Sequence, residues 1–177
     1  VVKHTGRALK YAPSELRADR EVALEAVEQN GWALKCLPAE FRADPQIVGR
    51  AIRSVGYALQ YASDELRADR EVVLQATKSS GGAWIYASEE LRTDREFVAE
   101  VVKQHPKALK YASLELADDR DIVEEAVRHH HGALDYASEY LQTDHELVME
   151  VLRQRLSHFE SSNLDEDEIR TECVKKR

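Results

Sequence analysis

Charged side chains recur at fixed intervals of 25 residues, and their types could bind an anion or transfer protons. The two arginine columns are Arg17, Arg42, Arg67 and Arg92, and Arg20, Arg70, Arg95 and Arg120. The acidic columns are Asp19, Asp44, Asp69, Asp94, Asp119 and Asp144, and Glu15, Glu40, Glu65, Glu90 and Glu115. Because the planar guanidinium of arginine binds phosphate well, the arginine columns could form a track for an anionic ligand.

The same columns also fit a structural interpretation, which we favour. Opposite charges at fixed offsets predict ion pairs between the glutamate of one unit and the arginine of its neighbour. Exposed pairs of this kind stabilise a protein by only ~0–1 kcal/mol each, although a network can set the register of the units. Each aspartate precedes an apolar pair at helical spacing, so we expect it to cap a helix rather than to act in catalysis.

Aromatic residues form a further column with two interpretations. Its members are Tyr11, Cys36, Tyr61, Tyr86, Tyr111 and Tyr136. Exposed rings at this spacing could stack on nucleic-acid bases, but we favour buried rings whose hydroxyls bond to the neighbouring unit. Trp32 and Tyr57 lie in a variable column and are a candidate binding hot spot. The other members of that column are Arg7, Gly82, Lys107 and Gly132.

The histidines and the other reactive residues form no motif for catalysis. His129, His130 and His131 are consecutive, so their side chains diverge on a helix, and no cysteine or carboxylate lies at a spacing typical of zinc sites. A metal shared by His105 and His130, one period apart, is the alternative. The sequence has no glycine-rich phosphate loop, nucleophile elbow or His-Glu-x-x-His helix. We therefore expect no enzyme activity, no metal and no cofactor.

Apolar columns in phase with the charged ones identify a tandem repeat. Ala8, Ala33, Ala58, Ala83, Ala108 and Ala133 are equivalent, and leucine follows nearly every one. In the third copy, Asp69 predicts the start of a helix that runs to about Ser80 and ends at Gly81. A shorter helix around Ala58 and one capped turn around Leu66 complete the unit.

The predicted fold is an all-α solenoid of six 25-residue helical-hairpin repeats over residues 1–156, with the superhelical hand undecided. Each unit has too few apolar residues for its own core, and helices this short need tertiary packing. Stacked units bury their apolar faces against their neighbours. Residues 157–177 are predicted to be a polar C-terminal cap or tail, with a partner-binding peptide as the alternative.

The unit resembles the helical repeats of the family called domain of unknown function 4116. Residues 61–73 and 86–98 match its pattern Tyr-Ala-Ser-x-Glu-Leu-Arg-x-Asp-Arg-Glu-Val-Val almost residue for residue, and the resemblance covers residues 1–156. It implies helical repeats, often in long arrays, with no assigned activity and no catalytic motif. A fragment of a longer array is therefore expected. Departures from the pattern are Cys36, Pro45, Ala117 and Tyr140.

The net charge and the apolar content of the sequence disfavour several classes of function. The net charge of -8 at pH 7 disfavours electrostatic binding to nucleic acid or to an anionic membrane. No apolar run is long enough to cross a bilayer, and two cysteines do not make a disulfide framework. We therefore favour an intracellular soluble protein without membrane insertion.

The leading hypothesis is a non-enzymatic scaffold that binds a protein or peptide partner within a larger complex. The candidate partner-binding residues are aromatic or apolar and lie in variable columns: Trp32, Tyr57, Leu24, Leu74, Ile85 and Met149. Packing at the edge of the core is the alternative explanation for the aliphatic members. The alternative functions are a nucleic-acid-binding array that uses the arginine columns and aromatic stacking, and a purely structural spacer.

Overall fold

The computed structural model describes residues 6–153 and 156, and each repeat there consists of helical segments without a strand. A complete unit contains a 3-10 segment, a short α-helix and a long α-helix, in that order. In the third unit these are Gly56–Tyr61, Asp64–Arg67 and Arg70–Ser79. The predicted all-α repeat is confirmed, including the capped turn around Leu66, which is a short helix. The structure adds that the arm around Ala58 is a 3-10 segment.

The three kinds of segment recur six times along the described residues. The 3-10 segments are Gly6–Tyr11, Gly31–Cys36, Gly56–Tyr61, Ala83–Tyr86, Pro106–Tyr111 and His131–Tyr136. The short helices are Ser14–Arg17, Ala39–Arg42, Asp64–Arg67, Glu89–Thr93, Leu114–Ala117 and Glu139–Gln142. The long helices are Arg20–Gln29, Pro45–Ser54, Arg70–Ser79, Arg95–Gln104 and Arg120–His129, followed by helical residues 145–153. The tail predicted at 157–177 lies outside the described residues.

Side-chain caps determine where the helices begin, as predicted. The carboxylate of Asp69 accepts hydrogen bonds from the N–H groups of Glu71 and Val72, at 2.9 and 3.1 Å. Equivalent bonds are formed at all six aspartates. The Ser63 hydroxyl accepts the N–H of Leu66 at the short helix, at 3.4 Å. These groups satisfy donors that a helix leaves unpaired at its start, so the aspartate column has a structural role.

The core lies between two layers of stacked segments. Consecutive long helices pack against each other, and most consecutive 3-10 segments do the same. Most long helices also pack against the 3-10 segment of their own unit and that of the next unit. The side chains of Leu59, Val73 and Ala76 are fully buried between these layers. A unit therefore completes its core only with its neighbours.

The short helices lie along one edge, where backbone hydrogen bonds join consecutive units. The N–H of Ser63 donates to the carbonyl of Arg42 at 2.8 Å, and Ser88 and Ser138 donate equivalently to the preceding units at 2.8 and 2.9 Å. Pro38 occupies the same position in the second unit and has no N–H to donate. These bonds fix the register between units, in addition to the apolar packing.

Glycine follows the first three long helices as predicted, but for a different physical reason. The residue that ends the second long helix, Val55, is extended, and no glycine of the described chain has a positive φ. Gly56 instead lies against the following unit, where a Cβ atom would be 2.2 Å from the carbonyl oxygen of Ala76. A Cβ at Gly31 would be 2.3 Å from the carbonyl oxygen of Ala51. These glycines are required by the close approach of two units.

Replacing Gly56 tests this constraint, with Gly49 as a matched control. We expect Gly56→Ala to lower the free energy of unfolding by about 1–3 kcal/mol, because the backbone of one unit must move away from the next. Gly49 lies inside a long helix with open space around it, so Gly49→Ala should raise that free energy by about 0.5–1 kcal/mol. Urea unfolding followed by circular dichroism measures both. Equal effects of the two substitutions would contradict the close-approach explanation.

Candidate functional site: the aromatic and lysine face of the 3-10 segments

The arginine column that begins at Arg20 forms ion pairs between units, but its partners differ from those predicted. The guanidinium of Arg95 lies 2.6 Å from carboxylate oxygens of both Asp119 and Asp121 in the next unit. Arg20 pairs with Asp44, and Arg120 pairs with Asp144. Arg70 and Arg120 do pair with glutamates of the next unit, Glu100 and Glu146, but these lie outside the column of Glu15. Cap aspartates are the additional partners, because side-by-side packing of long helices places the first residue of one beside the cap of the next.

The capping and ion-pairing environment keeps these aspartates ionised. The pKa of Asp119 is lowered, chiefly by the hydrogen bond from Arg95 and also by backbone N–H groups. At Asp44, burial is the largest single effect and opposes ionisation, yet the N–H groups of Ile47 and Gln46 together with Arg20 lower its pKa overall. The N–H of Leu147 is the largest cause of the lowered pKa of Asp144. These carboxylates remain ionised, and their negative charges balance the positive charges of the arginines with which they pair.

The other arginine column ends the short helices. The Nε atoms of Arg17, Arg42 and Arg67 are buried and lack a hydrogen-bond partner. Arg67 also pairs with Asp64 of its own short helix. The buried Nε atoms face away from solvent, so only the outer guanidinium nitrogens of this column are placed to contact a ligand.

The exposed side of the 3-10 segments, here called the 3-10 face, carries paired aromatic rings. Trp32 is 39% exposed and packs edge-to-face on Tyr61 of the next unit, with 6.2 Å between the ring centroids. Tyr57 packs in the same way on Tyr86, at 6.3 Å. Lys35 places its ammonium 5.7 Å from the centroid of the Tyr61 ring. The second residue of a 3-10 segment therefore covers the tyrosine of the following unit.

The tyrosine column is more exposed than predicted. Tyr11 is 84% exposed and Tyr111 is 42% exposed, whereas Tyr61 and Tyr86 are half-buried. Tyrosine is the last residue of its 3-10 segment and lies towards the surface, so its burial depends on the side chain that the preceding unit supplies. The prediction of buried rings with bonded hydroxyls is therefore wrong for Tyr11 and Tyr111.

The six predicted partner-binding residues do not form one surface. Trp32, Tyr57 and Ile85 belong to the 3-10 segments. Leu24 and Leu74 lie on long helices and pack, half-buried, against the core, in agreement with edge-of-core packing. Met149 lies among helical residues 145–153, beside a groove that also contains Arg120, Glu124 and Arg153.

The sequence interpretation missed a cavity of about 480 Å³ on the 3-10 face. Its walls include the backbone of Gly81 and Gly82 and several lysine, histidine and tyrosine side chains. These are His105, Lys107, Lys110, Tyr111, His130 and Tyr136. The signal available in the sequence was glycine at position 82, where two earlier units have an aromatic ring.

The histidines have local structural contacts in the described part of the chain. The Nδ1 atom of His130 accepts the N–H of Gly132 at 3.0 Å, as Asn30 accepts the N–H of Trp32. His129 lies 3.2 Å from a carboxylate oxygen of Glu125. Within residues 6–153 and 156, no three histidine, cysteine or acidic side chains gather as a metal site. None of the described helices has the length and hydrophobicity needed to span a membrane.

Comparison with known proteins agrees with the repeat period. A family model described as "Domain of unknown function (DUF4116)" matches residues 1–42, 19–67, 44–92, 69–117 and 119–163. The matches that begin at residues 19, 44 and 69 are spaced by one unit of 25 residues, and each of the five matches spans about two units. No curated protein and no solved structure matches the chain.

The lowered pKa values of Asp44, Asp119 and Asp144 predict acid sensitivity. Carboxylates with a depressed folded-state pKa contribute stability that is complete above the unfolded pKa, about 3.9, and is lost as pH falls through the folded pKa. We expect the free energy of unfolding to be steady above about pH 5 and to fall below pH 4. Urea titrations at several pH values measure this dependence.

The substitution Asp119→Asn separates the charge from the cap. Asparagine still caps a helix, but it neither titrates nor forms an ion pair with Arg95. The variant should therefore show a weaker dependence of stability on pH below 4. Asp135→Asn, at an exposed residue of the 3-10 face, is the control and should leave the dependence unchanged. An identical pH dependence of all three proteins would refute the contribution assigned to Asp119.

Proposed function

Because the chain belongs to the DUF4116 family, whose description assigns no activity, we propose a function from its surfaces: a non-enzymatic helical-repeat scaffold that binds a protein or peptide partner. The observation that carries the proposal is the row of ring pairs on the 3-10 face, Trp32 with Tyr61 and Tyr57 with Tyr86. Tryptophan and tyrosine are enriched in the residues that contribute most to protein interfaces.

The geometry of the 3-10 face supports a binding surface in two ways. The rings are partly fixed by contacts between units, so a partner that covers them loses little side-chain entropy. Exposed lysines on the same face, Lys35 beside Tyr61 and Lys110 beside Tyr111, can form polar contacts at an interface rim. The column of Trp32 varies between units, so different units can present different contacts.

The repeated reactive residues support a non-enzymatic role. The aspartates cap long helices, and Ser63, Ser88, Ser113 and Ser138 cap short ones. His130 caps a 3-10 segment. A catalytic site requires reacting groups that are free to change protonation or bonding partners during turnover. Each of these groups already accepts backbone hydrogen bonds in its structural role.

One observation favours a second candidate function, a nucleic-acid-binding array. Arg17, Arg42 and Arg67 form a row of guanidinium groups along the short helices, and exposed rings can stack on bases. The neutralised column of Arg20, Arg95 and Arg120 argues against it, as does the net charge of -8. Salt separates the two functions, since phosphate-dominated binding weakens steeply as salt rises.

Affinity capture from source-cell lysate, with and without nuclease, tests the scaffold. The bait is the full chain, and the test variant is Trp32→Ala/Tyr57→Ala. The control is Leu114→Ala/Tyr140→Ala, which removes apolar side chains that are 89% and 73% exposed on short helices. We expect proteins that survive nuclease and moderate salt, and at least a tenfold loss with the test variant only, because truncated hot spots cost 2 kcal/mol or more.

Three other outcomes contradict the proposed surface. Capture that disappears with nuclease favours the nucleic-acid array. Equal loss with both double variants refutes a role specific to the 3-10 face. Retention of no specific protein in any arm favours the structural spacer.

A further inference from the structure

The 3-10 face contains a position where its own pattern of ring pairs is interrupted. Trp32 covers Tyr61 and Tyr57 covers Tyr86, and at the same spacing Gly82 stands where a ring would cover Tyr111. Tyr111 is accordingly more exposed than Tyr61 and Tyr86, which are half-buried. The cavity of about 480 Å³ lies at this interruption, within the usual volume range for ligand sites.

The backbone does not require glycine at this position. Gly82 has φ -92° and ψ 0°, which other residues also adopt. A Cβ atom there would lie 2.8 Å from the Tyr57 hydroxyl and 2.9 Å from Cε2 of Tyr111. The Tyr57 hydroxyl and the edge of the Tyr111 ring therefore lie directly against Gly82, which is buried. Glycine at this position therefore allows both tyrosines to pack on its backbone, and the remaining surface of Tyr111, 42% exposed, faces the cavity.

The electrostatics of the cavity differ from those of the whole chain. Lys107 and Lys110 line it, together with His105 and His130, and none of its lining residues is acidic. The ammonium of Lys110 lies 5.8 Å from the centroid of the Tyr111 ring. On a protein with a net charge of -8, this cationic lining is complementary to a negatively charged ligand.

We propose that the cavity beside Tyr111 binds an aromatic side chain presented by an acidic peptide. This inference rests on the proposed function and names the chemistry of the partner. The peptide ring occupies the cavity beside Gly82 and packs on the exposed part of the Tyr111 ring. Carboxylates on either side of that ring pair with Lys107 and Lys110. The ring supplies most of the affinity, and the carboxylates select acidic partners.

Defined peptides test the proposal by isothermal titration calorimetry with the full chain. The probe is a twelve-residue peptide of aspartate and glutamate with one central tryptophan, and the comparison peptide has alanine in place of that tryptophan. We expect saturable binding of the probe with a Kd below about 1 mM and at least tenfold weaker binding of the alanine peptide. The backbone N–H resonances of Gly81 and Gly82 should shift on binding, which locates the probe.

Variants of the chain separate the ring site from the charges. Gly82→Trp restores a ring to the interrupted position, and Tyr111→Ala removes the ring beneath it; each should weaken binding at least tenfold. Tyr11→Ala is the matched control, because Tyr11 is also exposed and has Lys10 at the same 5.8 Å. The double variant Lys107→Glu/Lys110→Glu should weaken binding similarly. Its control is Lys78→Glu/Lys103→Glu, which makes the same change in net charge on long helices and should not weaken binding.

The results that overturn the proposal are distinct from a failure of the scaffold. Absence of saturation below 1 mM, equal affinity for the alanine peptide, or full binding by Tyr111→Ala each refutes the ring site. Tighter binding of a single-stranded oligothymidylate in the same cavity assigns it to nucleic acid and also refutes the proposal. Protein capture that depends on Trp32 and Tyr57 can persist in all these cases, so the wider function is tested separately.

Discussion

Each unit depends on its neighbours because its apolar residues cannot form a core alone. The long helices and 3-10 segments bury Leu59 and Val73 only when consecutive units approach closely. Gly56 permits that approach at the carbonyl of Ala76. Contacts of very different chemistry fix the same register, including the Arg95 ion pairs and the backbone bond from Ser63 to Arg42. Packing therefore supplies the main stabilisation, and the polar contacts specify how the units align.

The register that completes the core also organises the outer surface. It places the second residue of each 3-10 segment beside the tyrosine of the next unit, so a single column determines which rings are covered. Trp32 covers Tyr61, whereas Gly82 has no side chain to cover Tyr111, which is 42% exposed. Substitutions in this column change the surface while the buried alanine and leucine columns remain the same. A repeat can thus alter its binding properties without changing its fold.

Local features of the structure could be predicted from sequence, and features that depend on neighbouring units could not. Asp69 and Ser63 cap helices a few residues away, so their roles follow from short spacings. The partner of Arg95 depends on which helix lies beside it, and the exposure of Tyr111 depends on a residue 29 positions earlier. Predicting the cavity required information of both kinds, because its wall combines the backbone of Gly82, which has no side chain, with lysines of the next unit.

Residues that recur in every unit can be distinguished from residues that occur in one unit only. The recurring residues are structural, and the unique ones are candidates for ligand binding. A residue present in every unit serves a contact that every unit makes, as the cap aspartates do. A ligand that binds at only one unit of the array must instead contact residues that the other units lack. Gly82 and Lys107 break the column of Trp32 and Tyr57 in consecutive units, and their cavity combines an open ring with cationic side chains. Specific recognition by a regular array therefore depends on its irregular positions.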